Sequence, residues 1–176
     1  MSQYPFIDIA VHEKVRERFA RGEALVVFTE DLSGVLWANG AGARMFGNAS
    51  IYDFIDQGPD IRDLAWRQMT TTAGQLGAPF GPRSFLMRVS SGFERITVQA
   101  SVEKIVVGNE MAVLFAAPTG IRSNAVRDVA RRLIEGFDDP DTHVAVIGEN
   151  GEVLSSTPGF GALALPSNII SMLQEG

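Results

Sequence analysis

The sequence contains no cysteine. That excludes disulfides, thiolate nucleophiles, iron–sulfur ligation and zinc–thiolate sites together. Histidine occurs only twice, as His12 and His143, too thinly for a histidine-rich metal centre. Basic residues are outnumbered, and the net charge of −6 opposes both sequence-independent binding to nucleic acid and docking on an anionic membrane. No apolar run approaches the ~20 residues that cross a bilayer. Residues 1–10 lack a basic segment followed by an apolar stretch, so no signal peptide is expected and the cytoplasm is the expected location.

What is present suits a packed domain. Hydrophobic residues make up 45 % of the 176 positions and charged residues 20 %, ordinary globular usage. Val11, Val15 and Phe19 recur at spacing four among charged residues, which predicts an N-terminal helix over residues 1–22 ended by Gly22. That three-residue stripe is thin, and it needs either the domain's own sheet or a second chain to cover it. Residues 24–29 and 35–38 read as two strands around a Gly-containing turn. Short helices follow over 40–46 and 51–55. A longer helix is expected from Asp60 to about Thr72, with Ile61, Leu64, Ala65 and Met69 buried. Three strands come next, over 84–89, 93–104 and 110–117. In the second, Ile96, Val98, Ala100 and Val102 alternate with Thr97, Gln99 and Ser101. The third is apolar on both faces and belongs in the middle of a sheet. Ile121, Ala125, Val129 and Leu133 then outline a connector helix within residues 119–141. Strands at both ends of a helical middle give an α+β plan: a five-stranded antiparallel sheet with helices on one face.

The opening of this pattern recurs. Under one constant shift, Val27 falls on Val146, Phe28 on Ile147, Val35 on Leu154, Gly40 on Gly159 and Gly42 on Gly161. Residues 142–176 thus read as the start of a second, truncated unit, which is expected to continue past Gly176.

The run Gly34-Val35-Leu36-Trp37-Ala38-Asn39-Gly40-Ala41-Gly42-Ala43-Arg44-Met45-Phe46-Gly47 resembles the PAS domain family over residues 23–118, and again in part after residue 142. Ser155-Ser156-Thr157-Pro158 departs from the Ala-Asn step in the second copy. A PAS pair joined by a helix is similar to the sensory N-terminal region of soluble bacterial histidine kinases, and the wording of the chain resembles the alphaproteobacterial PdhS/PleC/DivJ cell-cycle group. The resemblance implies a homodimer in a two-component system. Flanking helices would pass a signal to a kinase module outside this chain, and a response regulator is a possible partner.

The chemistry-bearing candidates are weak beside their structural explanations. His12-Glu13 sits on a helix as a phosphoacceptor does, but the Thr-Pro or Asn-Pro step is missing, and a surface role fits better. His143 could ligate a haem, or simply belong to a linker. A flavin photoadduct of the light-sensing PAS type needs a cysteine and is excluded, although non-covalent binding of a flavin, or of another metabolite, is not. Gly40-x-Gly42 lacks the third small residue and the parallel strand–helix–strand setting of a dinucleotide site. Asp53, Asp56, Asp60 and Asp63 read as helix caps and first-turn residues. The chain is therefore not expected to be an enzyme. Phe28, Trp37, Met45, Phe46, Phe54, Trp66, Met69, Phe85, Met87, Val98 and Phe115 are candidates to line the space between helices and sheet. They make either a filled core or a small apolar pocket with Thr97, Gln99 or Arg88 as anchors. No cofactor is expected, although an unidentified small ligand fits the second alternative. Val11, Val15 and Phe19 are the dimer-interface candidates.

Overall fold

The computed structural model describes residues 6–77, 81–91, 94–119, 126–137, 139–148, 151–166 and 169. Ile121 and Ala125, and the side chain of Ile96, lie outside the described residues.

Strands β1 (Ala24–Thr29), β2 (Val35–Ala38), β3 (Arg83–Ser91), β4 (Glu94–Val107) and β5 (Glu110–Ala117) form one antiparallel sheet in the order β2-β1-β5-β4-β3. β5 is the middle strand, and Ala112 to Ala117 are buried on both faces. A two-residue turn at Gly108-Asn109 (Gly108 φ 59°) joins β4 to β5, the left-handed start that tight hairpins favour. Helices α3 (Gly40–Met45), α4 (Ile51–Gln57) and α5 (Leu64–Ala73) lie between β2 and β3 in sequence and cover the inner face. Helices α1 (Phe6–Ala10) and α2 (Glu13–Ala20) precede the sheet and cover part of its outer face. This is the α+β plan expected from the sequence.

Two helices depart from expectation. The N-terminal helix is broken at Val11-His12, where His12 leaves helical geometry (ψ 131°). The break turns Ile9 and Val15 into the outer-face cluster beside Leu25, Val27 and Leu114, and sends Val11 into solvent at 59 % exposure. The third inner helix starts at Leu64 rather than Asp60, because the Asp63 carboxylate accepts the Ala65 N–H and caps it there. Ile61 falls in the preceding turn and is 75 % exposed, while Ala65, Trp66, Met69 and Ala73 form the buried face. Asp60 accepts from the Arg62 N–H in that same turn.

After the sheet, α6 (Val126–Ile134) packs on a hairpin of β6 (Ala145–Ile147) and β7 (Val153–Ser156), followed by α7 (Pro158–Ala162). Its buried positions are Ala130 and Ile134, one step beyond the predicted Val129 and Leu133, and Leu133 faces outward. The hairpin repeats the hydrogen bonding of β1–β2. In the first copy the Leu25 N–H donates to Asn39 Oδ1 and the Asn39 N–H to Leu25 O. In the second the Val144 N–H donates to Thr157 Oγ1 and the Thr157 N–H to Val144 O. A β-bulge follows Val27 in one and Val146 in the other. Thr157 therefore stands where Asn39 does, and the second turn is one residue shorter. The ungapped overlay of Gly40 on Gly159 is replaced by Gly40 on Pro158.

Candidate functional site

The inner face is a lattice of rings. Phe28 meets Phe46 and Phe54 edge-on at 5.8 and 6.4 Å, and Trp66 lies 5.2 Å from Phe28. Phe46 stacks on Phe54 at 5.7 Å and meets Phe115 at 5.0 Å. Each such pair adds about 0.5–1.5 kcal/mol beyond area burial. Phe28, Phe54, Met69, Met87 and Phe115 are wholly buried here, and Met45, Phe85 and Val98 pack against them half-buried. Trp37 is not part of this layer. The bulge opposite Val27 sets Trp37 across from Val27 on the outer face, in the cluster under α1 and α2. The proposed anchors Arg88, Thr97 and Gln99 alternate with the inward Met87, Val89, Val98 and Ala100, so they occupy the outer face and are exposed.

Of the interface candidates, Val15 is fully buried and Phe19 half-buried against this chain's own sheet. Two ion pairs hold α2 there. Glu103, 5 % exposed, accepts from Lys14 at 2.5 Å and from Arg18 at 3.1 Å. Among the described side chains of this segment, Ile7 and Val11 are the exposed apolar ones.

The connector meets the inner helices at a joint of two glycines. Gly136 ends α6 with φ 87°, and its carbonyl accepts the Ile51 N–H at 3.0 Å. A Cβ on Gly136 would lie 2.7 Å from Ile51 Cγ1 and 3.1 Å from Gly40 Cα. A Cβ on Gly40 would collide with the Glu135 carbonyl. Arg44 of α3 forms an ion pair with Glu135. Tyr52 of α4 meets Phe137 edge-on at 5.6 Å. Burial, and then the charge of Asp139, push the Tyr52 phenol above its ordinary pKa, while a hydrogen bond from Thr142 pulls the other way. Gly42 serves α3 differently: a Cβ there would strike the Leu25 carbonyl, so only glycine lets the helix start this close to β1. The Gly-x-Gly spacing is thus used twice for close backbone approach.

In the sequence Gly136 marks only the end of the connector's apolar periodicity. Nothing in local periodicity shows that its neighbour is Gly40, far earlier in the chain. Beside this joint, between α3 and α6, lies an open groove of about 740 Å³ lined by Met45, Val89, Val98, Asp128, Arg131 and Arg132 among others. A second, of about 680 Å³, runs past Arg44, Arg62 and Arg88.

The chain matches kinases over nearly its whole length. Over 170 residues, 97 % of the chain, it is 34 % identical to the cell-division control histidine kinase PdhS of Brucella anthropi, and 33 % identical to that of Brucella canis. The chain is homologous to part of these PdhS kinases. It spans 16 % of their length. The match to PdhS takes in the five-stranded unit, the connector and the hairpin alike. No family model matches the chain. A solved domain of a histidine kinase from Haloarcula marismortui, described as light and redox sensing, covers 60 % of this chain and 95 % of its own at 25 % identity and a TM-score of 0.38. Among the described residues no helix is long and apolar enough to cross a membrane.

Proposed function

We propose that the chain is the sensory and dimerisation module of a cytoplasmic two-component histidine kinase, and that it carries no catalytic residues itself. Its homology to PdhS supports the kinase setting. The observation that carries the relay is the Gly40–Gly136 joint. The connector helix is fastened to α3 and α4, the layer that covers the aromatic core, and not only to the strand that precedes it. A rearrangement of the core that moves α3 therefore moves Glu135 and Gly136 with it. Such a switch needs two packings within a few kcal/mol of each other.

The chain placed in the matching segment of a Brucella PdhS kinase tests this. Glu135→Arg opposes Arg44 with a like charge, and Gly40→Val wedges the joint open. Both are expected to change the autophosphorylation rate several-fold while the far-ultraviolet circular dichroism of the isolated chain holds. An unchanged rate in both chimeras refutes the relay. Dimerisation is assigned to the exposed Ile7 of α1 and Val11 of the turn that follows it. Small-ligand sensing has a separate observation behind it, the groove beside the joint.

A further inference from the structure

β3 is an edge strand of the sheet, and its free edge runs along a groove against α5. Arg88 shows which backbone groups that edge offers. Its N–H donates to Gln68 Oε1 at 3.1 Å and not to β4. β3 pairs with β4 in one unbroken register from Arg83 to Ser91. In an antiparallel pair, residues bonded to the neighbouring strand alternate with residues whose N–H and C=O face away. Ser84 and Leu86 therefore face away as Arg88 does, while Phe85, Met87 and Val89 bond to β4. Among the described residues no protein group meets the Leu86 N–H or carbonyl. The group that covers Arg88 is a side-chain amide, chemically a peptide bond. Gln68 thus fills the place that the carbonyl of a further strand would take.

The walls and the charge of the groove suit one kind of occupant. Its volume is about 410 Å³, and it runs between Leu64, Arg67 and Gln68 of α5 and Phe85 and Leu86 of β3. Leu64 and Leu86 are exposed, Leu86 to 66 %, and lie open to apolar contact. Arg67 lines the groove, and Arg83 and Arg88 stand on β3 itself. All three are exposed, and none pairs with an acid among the described residues. This one-signed rim belongs to a chain of net charge −6. The β3 of a second copy would bring more arginines to the same edge, so like charges oppose self-pairing.

We infer that an extended, acidic segment of a partner protein adds to the edge of β3 as a further strand, displacing Gln68 from the Arg88 N–H. Main-chain bonds at Ser84, Leu86 and Arg88 supply affinity, apolar residues of the segment lie along Leu64 and Phe85, and its carboxylates meet Arg67 and Arg88. The surface is separate from the Gly40–Gly136 joint, and its occupancy does not depend on the relay proposed above.

The probe is a blocked seven-residue peptide of alternating valine and glutamate, with lysine in place of glutamate in its counterpart. In nitrogen-15 spectra of the whole chain, the glutamate peptide is expected to shift the amides of Ser84, Leu86 and Arg88 saturably and to slow exchange of the Leu86 N–H, and the lysine peptide is not. Gln68→Ala removes the competing amide and should tighten binding several-fold. Leu86→Pro deletes the central edge N–H, a change that an edge strand tolerates, and should weaken binding about tenfold or more. Arg67→Glu with Arg88→Glu should transfer the preference to the lysine peptide. Equal binding of the two peptides overturns the acidic assignment. Unchanged affinity in both Leu86→Pro and the charge reversal overturns the site, and weaker binding in Gln68→Ala overturns the role given to Gln68. A shift of the same three amides on raising protein concentration alone overturns the partner assignment, because a second copy then occupies the edge.

Discussion

Asn39 shows how much one residue settles. Its Oδ1 accepts from the Leu25 N–H at 3.0 Å and the Gly42 N–H at 2.8 Å, and its Nδ2 donates to the Glu23 carbonyl at 2.9 Å. Cap, strand and preceding loop meet at one buried side chain. Asn39→Ala is expected to cost about 2–3 kcal/mol in urea unfolding, from the lost cap and the buried donors left over. Asn39→Asp keeps both acceptor bonds and should cost less. Asp31 is the residue whose charge the turn holds most firmly. The Thr29 hydroxyl, then the Ser33 hydroxyl and N–H, lower its pKa to about 2 from 3.8. A lowered folded pKa means the contribution is present above the unfolded value and fades as pH falls from about 4 towards 2. Carbon-13 titration of the Asp31 carboxyl should give that low midpoint, and Thr29→Val should raise it. The sequence showed Asn39 at the Ala-Asn step that closes a strand; its bonds to Leu25 and Glu23, 14 and 16 residues back, leave no local mark. It could not show that Trp37 faces outward, because an inserted residue in a strand flips every later side chain.

At the scale of elements, strands were legible and helix starts less so. β1, β4 and β5 follow alternation or uniform apolarity, which depends on nearest neighbours alone. The breaks in the helices depend on caps competing a few residues apart, as Asp60 and Asp63 do. The N-terminal stripe misled for a tertiary reason. Ile9 and Val15 both reach the sheet only if the helix bends between them, and the straight stripe through Val11 ignores that. α2 is then held by Glu103 as much as by Val15. Glu103→Ala should speed hydrogen exchange across residues 13–20 while β1 and β5 stay protected, and cost about 1–3 kcal/mol overall. Equal protection of α2 in that variant would remove the ion pairs from the account. Phe46 just after α3, Phe54 of α4 and Trp66 of α5 enter one apolar layer on the sheet, and their aromatic content marks them in the sequence. The groove beside α6 carries no such mark, since Arg132 reads as one of several arginines on a helix face.

For the whole molecule, the two copies of the hairpin set how the parts are arranged. α6 serves the second copy much as α2 serves the first, packing where the chain enters its strands, and it also touches α3 of the unit before it. Association should follow from this plan through α1. Ile7→Glu with Val11→Glu is expected to halve the mass seen by light scattering without loss of helix or sheet signal, and a dimer that persists would move the interface elsewhere. The charge chosen matters: glutamate at Val15 would break the outer layer and report on folding instead. Repeats are visible in sequence when spacing is kept. The missing residue in the second turn was invisible until hydrogen bonds aligned Thr157 with Asn39.

The Arg44–Glu135 pair, half-exposed on Arg44, sits where two backbones touch. Water and dissolved ions reach it, and at physiological ionic strength charges are screened over about 8 Å. The stiffness of the hinge between core and connector is thereby open to the medium: dilute buffer tightens it and concentrated salt loosens it. Under the proposed relay, ionic strength therefore tunes this contact with no binding event required.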